Sequence, residues 1–286
     1  MITASIVLYK STLEKIQATI DSFLGTLGKN ATTLPKKLYL IDNSPEPLAN
    51  TDLQKLSSNI EYTFNDGKNL GYGGAHNIAL KKSIAEKADF HIILNPDIRF
   101  EPSVVDELVS YAAQNSDVVY MLPKVIYPDG SLQYLCKLLP TPFDLIFRRF
   151  FPKTAFTEKL NDRYVLKNSG YDKIMNPPCL SGCFMFLRTN AIETNNLFFD
   201  ERYFMYCEDF DLIRRLHRIG KTVYYPKVQI IHDHARASYK NKKMLACHVK
   251  SAIKYFNKFG WFFDKERNLV NKQILNEINR SISHGN

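Results

Sequence analysis

No apolar run in the 286 residues approaches the roughly 18 needed to cross a bilayer, so a spanning helix is not expected. The opening stretch, MITASIVLYKS, lacks a basic leader region and enters a strand-like segment at once, which argues against a secretory signal. Cysteine is sparse and odd in number: Cys136, Cys179, Cys183, Cys207 and Cys247. That pattern excludes a disulfide framework and suits reduced thiols in a cytosol. Cys179 and Cys183 are not followed by a second Cys/His pair at zinc-ligand spacing, so a structural zinc site is not expected. There is no internal repeat, no low-complexity linker, and no Gly-Lys-Ser/Thr run of the kind that ends a phosphate-binding P-loop.

The composition is that of a chain able to bury a full core, with 45% hydrophobic residues. The formal net charge of +9 and pI of about 9.1 favour anionic partners: phosphates, nucleic acid or an acidic membrane surface.

Strand-like and helix-like segments alternate over the first 125 residues. ASIVLY (4–9), KLYLIDNS (37–44), IEYTFN (60–65), FHIILNPD (90–97) and VVYMLP (118–123) read as strands. STLEKIQATIDSFL (11–24), with Ser11 and Glu14 spaced as a capping box, GGAHNIALKKSIAEK (73–87) and PSVVDELVSYAAQN (102–115) read as helices. Such alternation predicts an α/β fold with a mostly parallel sheet flanked by helices, and ligands at the carboxyl ends of its strands. Asp42, Asn43, Asn95 and Asp97 fall at such ends. Beyond residue 125 the regularity breaks. YPDGS (127–131) predicts a hairpin turn, CLSGCFMFLR (179–188) a buried strand, EDFDLIRRLHRIG (208–220) a helix closed by Gly220, and TVYYPKVQIIHDH (222–234) an extended segment. From about residue 240 the chain reads as helical, so the expected division is a main domain over 1–239, with halves 1–125 and 126–239, and a helical C-terminal extension over 240–286 packed on it.

Four stretches carry groups suited to chemistry. In NLGYGGAHN (69–77) three glycines open a helix, which suits close approach to a phosphate and equally suits a plain tight loop. In LNPDI (94–98) Asp97 stands just past a buried strand, where it could ligate a hard divalent cation; Asn-Pro-Asp is also a common turn. In FMYCEDFDL (204–212) Glu208, Asp209 and Asp211 occupy the first turn of a helix. There they would offset its dipole by roughly 0.3–1 kcal/mol each. Their aromatic flank would also desolvate them, raising their pKa toward that of a general base. In HDHARAS (232–238) a histidine and Arg236 could meet a metal and a phosphate, or be ordinary surface residues. Together the four are the parts of a metal-assisted transfer from a nucleoside diphosphate.

The ordered series IVLYK, LIDNS, NLGYGGAHN, LNPDI, SGCFMFLR, FDERYFMYCEDFDLIRRL and IIHDH resembles the inverting family 2 glycosyltransferases of the GT-A (Rossmann-like) fold. Within them it is most similar to rhamnosyltransferase-like enzymes of bacterial O-antigen, capsule and cell-wall glycan synthesis, over roughly residues 3–240. The resemblance implies that Asp209 is the catalytic base, with Glu208 the alternative. It implies that Tyr9, Asp42, Asn69, Gly71, Gly73, Gly74, Asn77, Asn95 and Arg236 line the nucleotide-sugar site. Asn95-Pro96-Asp97 would stand where the family carries Asp-x-Asp, leaving Asp97, with His232, to hold Mg2+ or Mn2+. LSGCFMF would form part of the acceptor wall. The implied donor is dTDP-rhamnose, with UDP-hexoses or UDP-galactofuranose as alternatives. The implied acceptor is a glycan, free or carried on a polyprenyl diphosphate. The implied location is the cytoplasm, including the inner face of the membrane.

Two segments mix aromatic and basic residues, FDLIFRRFF (143–151) and KYFNKFGWFF (254–263), and suit either a membrane interface or an ordinary core and subunit contact. A nucleic-acid-binding protein is permitted by the charge, but no nucleic-acid motif is present and the acids cluster where phosphates would sit. A nucleotidyltransferase would need a second metal carboxylate where Asn95 stands, and a catalytically dead scaffold would have no reason to keep CEDFD.

Overall fold

The protein is described here by a computed structural model, which places all residues except 26–33, 50–51, 53–55, 148–150, 153, 234–241 and 284–286. The strands are β1 (Ile2–Leu8), β2 (Lys36–Asp42), β3 (Ile60–Phe64), β4 (Phe90–Leu94), β5 (Ile98–Arg99), β6 (Val118–Ile126), β7 (Phe184–Arg188) and β8 (Lys221–His232). The helices are α1 (Leu13–Leu24), α2 (Gly71–Ala85), α3 (Ser103–Gln114), α4 (Pro142–Leu145), α5 (Ala155–Tyr164), α6 (Thr189–Asn195), α7 (Glu208–His217), α8 (Lys242–Phe259) and α9 (Lys265–Ser283). Among the described residues no helix is long and apolar enough to cross a membrane.

One sheet runs in the order β3-β2-β1-β4-β7-β6-β8-β5. Four neighbouring pairs are parallel and three, all involving β7 or β5, are antiparallel. The central strands β1 and β4 are buried on both faces, and they are apolar except for Thr3, Ser5 and His91. A buried polar chain ties α2 to the sheet. Ser5 Oγ lies 2.8 Å from both His76 Nδ1 and His91 Nε2, and His91 Nδ1 lies 2.7 Å from Thr3 Oγ1. Burial pushes both imidazoles down, His91 to about 3, so the chain is one of neutral groups.

Several local expectations need correction. The Ser11/Glu14 capping box does not form: α1 starts after Thr12 and has no side-chain cap. Residues 179–183 are a loop rather than part of β7. α7 ends before Gly220, which takes no left-handed conformation. Gly220 is small because a Cβ there would lie 2.5 Å from Val119 Cγ1 and 2.6 Å from Asp117 O. The YPDGS turn is as expected, with Tyr127 N–H donating to Ser131 O and an Ile126–Leu132 bridge closing the hairpin.

The C-terminal helices are held to α7 by buried charge. Arg214, 2% exposed, donates two 2.8 Å bonds to Asp264 and a 2.9 Å bond to Glu266, and lies over the Phe259 ring. Lys258 of α8 donates to Asp211 at 2.5 Å and Asp200 at 2.9 Å, and Arg215 donates to Asp211 at 2.6 Å. Removing one partner strands the others in a dry setting. We therefore expect Arg214→Ala to cost about 3–5 kcal/mol in urea unfolding, because Asp264 is left buried and unpaired. An unchanged midpoint would show that the network carries no stability.

Candidate active site

The register of the sheet assembles the site. β1, β2 and β4 are parallel, so their carboxyl ends share an edge. Antiparallel pairing of Leu94 with Phe184 sets Asn95 beside Cys183, whose carbonyl accepts the Asn95 N–H at 2.9 Å. Pairing of Ile98 with His232 sets Asp97 beside Asp233, whose N–H donates to Asp97 O. Segments far apart in sequence are thereby aligned on one rim.

At one end of this rim Asp42 is buried. Its carboxylate accepts from Ser44 N–H at 2.9 Å and Tyr62 O–H at 2.7 Å. It borders a cavity of about 430 Å³ lined also by Lys10, Ser11, Pro45 and Leu48. Tyr9 is exposed beside it.

In the middle, His232 Nε2 lies 3.4 Å from Asp97 Oδ1 and 3.4 Å from Asn95 Nδ2. Gln133 fixes the ring: its Oε1 is 3.1 Å from His232 Nδ1, and its Nε2 donates to His232 O at 2.8 Å. With Nδ1 held by Gln133, Nε2 faces Asp97, and it offers a lone pair to a cation only when that cation displaces its proton. Burial resists a charge on His232, but the Cys183 sulfur and the Asp97 carboxylate outweigh it and raise its pKa to about 10. Among the described residues no three metal-ligating side chains converge. Asp97 and His232 are a two-ligand corner, which suits a divalent cation that keeps waters and takes its other oxygens from a substrate diphosphate.

At the other end are the acids. Tyr206 and Cys207 both take left-handed backbone, φ 68° and 65°, immediately before α7. Such conformations cost roughly 1–3 kcal/mol each in non-glycine residues and collect at functional sites. They swing Glu208 inward: it is 5% exposed, and among the described residues its Oε2 has no hydrogen-bond partner. Burial, then the neighbouring Asp209, pushes its pKa far up. Asp209 is raised too, by burial, but Lys137 and the N–H groups of Phe210 and Gly182 oppose the shift. Asp209 Oδ2 accepts from Gly182 N–H at 3.1 Å, and a Cβ on residue 182 would lie 2.9 Å from Asp209 Cβ. The third acid is different in kind, since Asp211 is fully buried in the Lys258 and Arg215 ion pairs.

Tyr72 joins the middle to the acids. Its O–H lies 2.7 Å from Gly182 O and 3.1 Å from Asn95 Oδ1, and has one proton to donate between them. Asp209, Gly182, Tyr72 and Asn95 are therefore successive polar neighbours, with the Tyr72 proton given to Gly182 O or to Asn95 Oδ1 at any one time.

The glycine run serves the same end. Gly71 has φ +75°, and a Cβ there would fall 2.1 Å from Phe204 O, the carbonyl that accepts Tyr72 N–H. A Cβ on Gly73 would meet Phe199 at 2.8 Å, while Gly74 has ordinary room. Asn77 donates to Phe199 O and Glu201 and accepts from Phe199 N–H, and Asn69 Oδ1 accepts from Gly71 N–H. These residues thus dock the 199–207 loop, which carries the chain to the acids, onto the start of α2. Arg236 lies outside the described residues. Gln133, Tyr72 and Gly182 were not singled out from the sequence. Only Gly182 left a signal, as the glycine in LSGCF.

A carboxylate and an imidazole at one sheet edge, with the buried Glu208 and the partly buried Asp209 further along it, suit a group-transfer enzyme. The comparisons with known proteins agree. The sequence profile of glycosyl transferase family 2 matches residues 4–194, two thirds of the chain, and the protein belongs to that family and is a glycosyltransferase. It is 28% identical over 263 residues to the N-acetylglucosaminyl-diphospho-decaprenol L-rhamnosyltransferase of Mycobacterium tuberculosis, covering 85% of this chain and 82% of that one. It is 29% identical over 197 residues to the rhamnosyltransferase WbbL of Escherichia coli, covering 65% of this chain and 69% of WbbL. Among solved structures, S. aureus TarS 1–349 in complex with UDP-GlcNAc superposes with a TM-score of 0.58 at 11% identity, covering 96% of this chain and 71% of TarS 1–349. The GT-A fold is shared with these neighbours.

Two outcomes follow from the site's geometry. Gly71→Ala combines a left-handed φ with a backbone clash, so about 2 kcal/mol or more should be lost in denaturant unfolding. An unperturbed midpoint would mean that the 199–207 loop is free to withdraw. Glu208 has a folded pKa above its unfolded value, so it holds more protons folded than unfolded between the two, and stability falls as pH rises through that window. Glu208→Gln should therefore be more stable than wild type in urea at pH 8, with the gap closing below about pH 4. Equal midpoints at pH 8 would contradict the buried, raised carboxyl.

Proposed function

We propose that the protein transfers L-rhamnose, with inversion, from dTDP-rhamnose to a glycan carried on a polyprenyl diphosphate, working in the cytoplasm at the inner face of the membrane. The observation that carries the reading is the series of polar neighbours from Asp209 through Gly182 and Tyr72 to Asn95, which supports a base acting near a diphosphate corner. The sugar and the lipid carrier rest on the printed activities of the relatives.

In this reading Asp42 and the Lys10–Leu48 cavity receive the nucleoside, with Tyr9 at its edge. The pair Glu208/Asp209 holds one proton. Glu208, with no donor to its Oε2, is the better place for it, and Asp209, with two N–H donors and Lys137 nearby, is the carboxylate. Asp209 takes the proton of the acceptor hydroxyl while that oxygen attacks the anomeric carbon. The bond from that carbon to the phosphate oxygen breaks, and its electrons leave on the nucleoside diphosphate. Asp97 and His232 would hold Mg2+ or Mn2+, which supplies positive charge to the departing diphosphate. Asn95, standing where a second carboxylate would be, positions the corner through Tyr72. A UDP-hexose or UDP-galactofuranose donor would use the same groups.

Calorimetric titration with a panel of nucleotide sugars, with and without manganese, tests this. One donor should bind with metal dependence, and Asp97→Ala should lose the metal effect. Asp209→Asn should keep donor binding and lose about 10²–10⁴-fold in kcat. Turnover near wild type in a folded Asp209→Asn protein would remove Asp209 as the base, and failure of every donor to bind would remove the donor assignment.

A further inference from the structure

The two aromatic and basic segments, more than a hundred residues apart in sequence, meet in the fold. Arg267, 4% exposed, donates to Pro140 O at 3.3 Å, Trp261 O at 3.2 Å and Phe262 O at 3.1 Å. It thereby ties the entrance of α4 to the turn between α8 and α9. Leu145 packs in one apolar cluster with Tyr255 and Phe256, and Ile146, Phe259 and Trp261 lie at its edge. The turn is held by its backbone on both sides. Gly260, at φ +105°, donates to Phe256 O at 2.8 Å, and Asp264 accepts the Arg267 N–H at 3.0 Å.

That firm turn leaves its two central side chains in solvent. Phe262 is 73% exposed and Phe263 is 97% exposed, with Phe147 at 45% and Phe151 at 53% on the other segment. Adjacent phenylalanines this exposed on a well-tied turn are an unpaired apolar surface. The two acids that follow, Asp264 and Glu266, are paired with Arg214 and Arg218, and the α8 charges are all basic. α8, which leads into the turn, carries Lys242, Lys243, Lys250, Lys254 and Lys258 and no acid, and Lys265 follows the turn. Lys254 and Lys258 are used inward, on Arg202 O and on Asp200 and Asp211, while Lys242, Lys250 and Lys265 are exposed.

From this we infer that the α8–α9 turn is a membrane-docking tip. Phe262 and Phe263 enter the interface of an anionic bilayer, and the exposed Lys265 beside them and Lys250 on α8 lie toward lipid phosphates. A bilayer is the occupant because phenylalanine beside lysine is the pairing that an anionic interface accepts. A second copy would bring one acid-free helix against another. The apolar cluster behind the tip also contains Tyr203 and Cys207, and Ser251 of α8 donates to Met205 O at 2.7 Å. The surface that meets the lipid and the loop that delivers Glu208 and Asp209 thus share one small core. The inference rests on the proposed lipid-linked acceptor for its purpose, but vesicle binding is read without any sugar.

The test is flotation of the full chain with phosphatidylcholine vesicles, with and without phosphatidylglycerol, for wild type and the double variant Phe262→Ser/Phe263→Ser. Wild type should float with the anionic vesicles at low salt and be released by high salt. The double variant should partition about tenfold less or weaker still, with unchanged melting and donor binding, since both side chains are exposed. A double variant that floats like wild type overturns the inference, as does a wild type that does not float. So does a wild-type dimer, seen by light scattering, that the double variant dissolves. Donor titration on the same samples reports separately on the transferase reading, so either can fail alone.

Discussion

The site depends on one close approach. The backbone of the 199–207 loop lies against the first turn of α2, with Phe204 O where a Cβ of residue 71 would be. Only a residue without a side chain, free to take φ +75°, permits that contact. From it follow the bond from Tyr72 N–H to Phe204 O, the grip of Asn77 on Phe199, and the left-handed pair Tyr206–Cys207 that turns the chain into α7. Tyr72, one residue further along the same turn, is then in place to reach both Gly182 and Asn95.

The acids around this contact divide the electrostatic work. Asp200 and Asp211 are neutralised by Lys258, Arg202 and Arg215, and they fasten α8 to the domain. Among the described residues no cation touches the buried Glu208 or the partly buried Asp209, and they are held there by stability gained elsewhere. The fold tolerates the second pair because the first is so fully paired, and because Arg214 locks the C-terminal helices down with Asp264 and Glu266. The unpaired and the ion-paired carboxylates on one helix turn differ only in what the rest of the chain brings to them.

Much of the architecture was legible in the residue pattern. The alternation of short apolar runs with amphipathic stretches marked β1 to β4 and α1 to α3 within a few residues, because periodicity is a local property. Asp42, Asn95, Asp97 and the pair Glu208/Asp209 stood out because each lies at the end of an apolar run or inside an aromatic one. Small errors came where local chemistry was overruled. Ser11 and Glu14 have capping spacing, but α1 starts one residue later. Gly220 ends no helix and instead makes room for Val119.

By itself the sequence determined most strands and helices of the first 125 residues and the polar groups at their ends, since both depend on neighbours a few residues away, but it did not mark α4, α5 or α6. Only the tertiary structure decided the rest. It separated Asp211 from Asp209, because the Lys258 that occupies Asp211 is 47 residues away. It gave the glycines a docking partner in Phe199 and Phe204, and His232 its orienting Gln133, 99 residues away. It brought residues 140 and 267 together, so that two aromatic segments share one small core. Each of these is a contact between distant parts of the chain, and such contacts are set by how the sheet and helices pack, which no local pattern encodes.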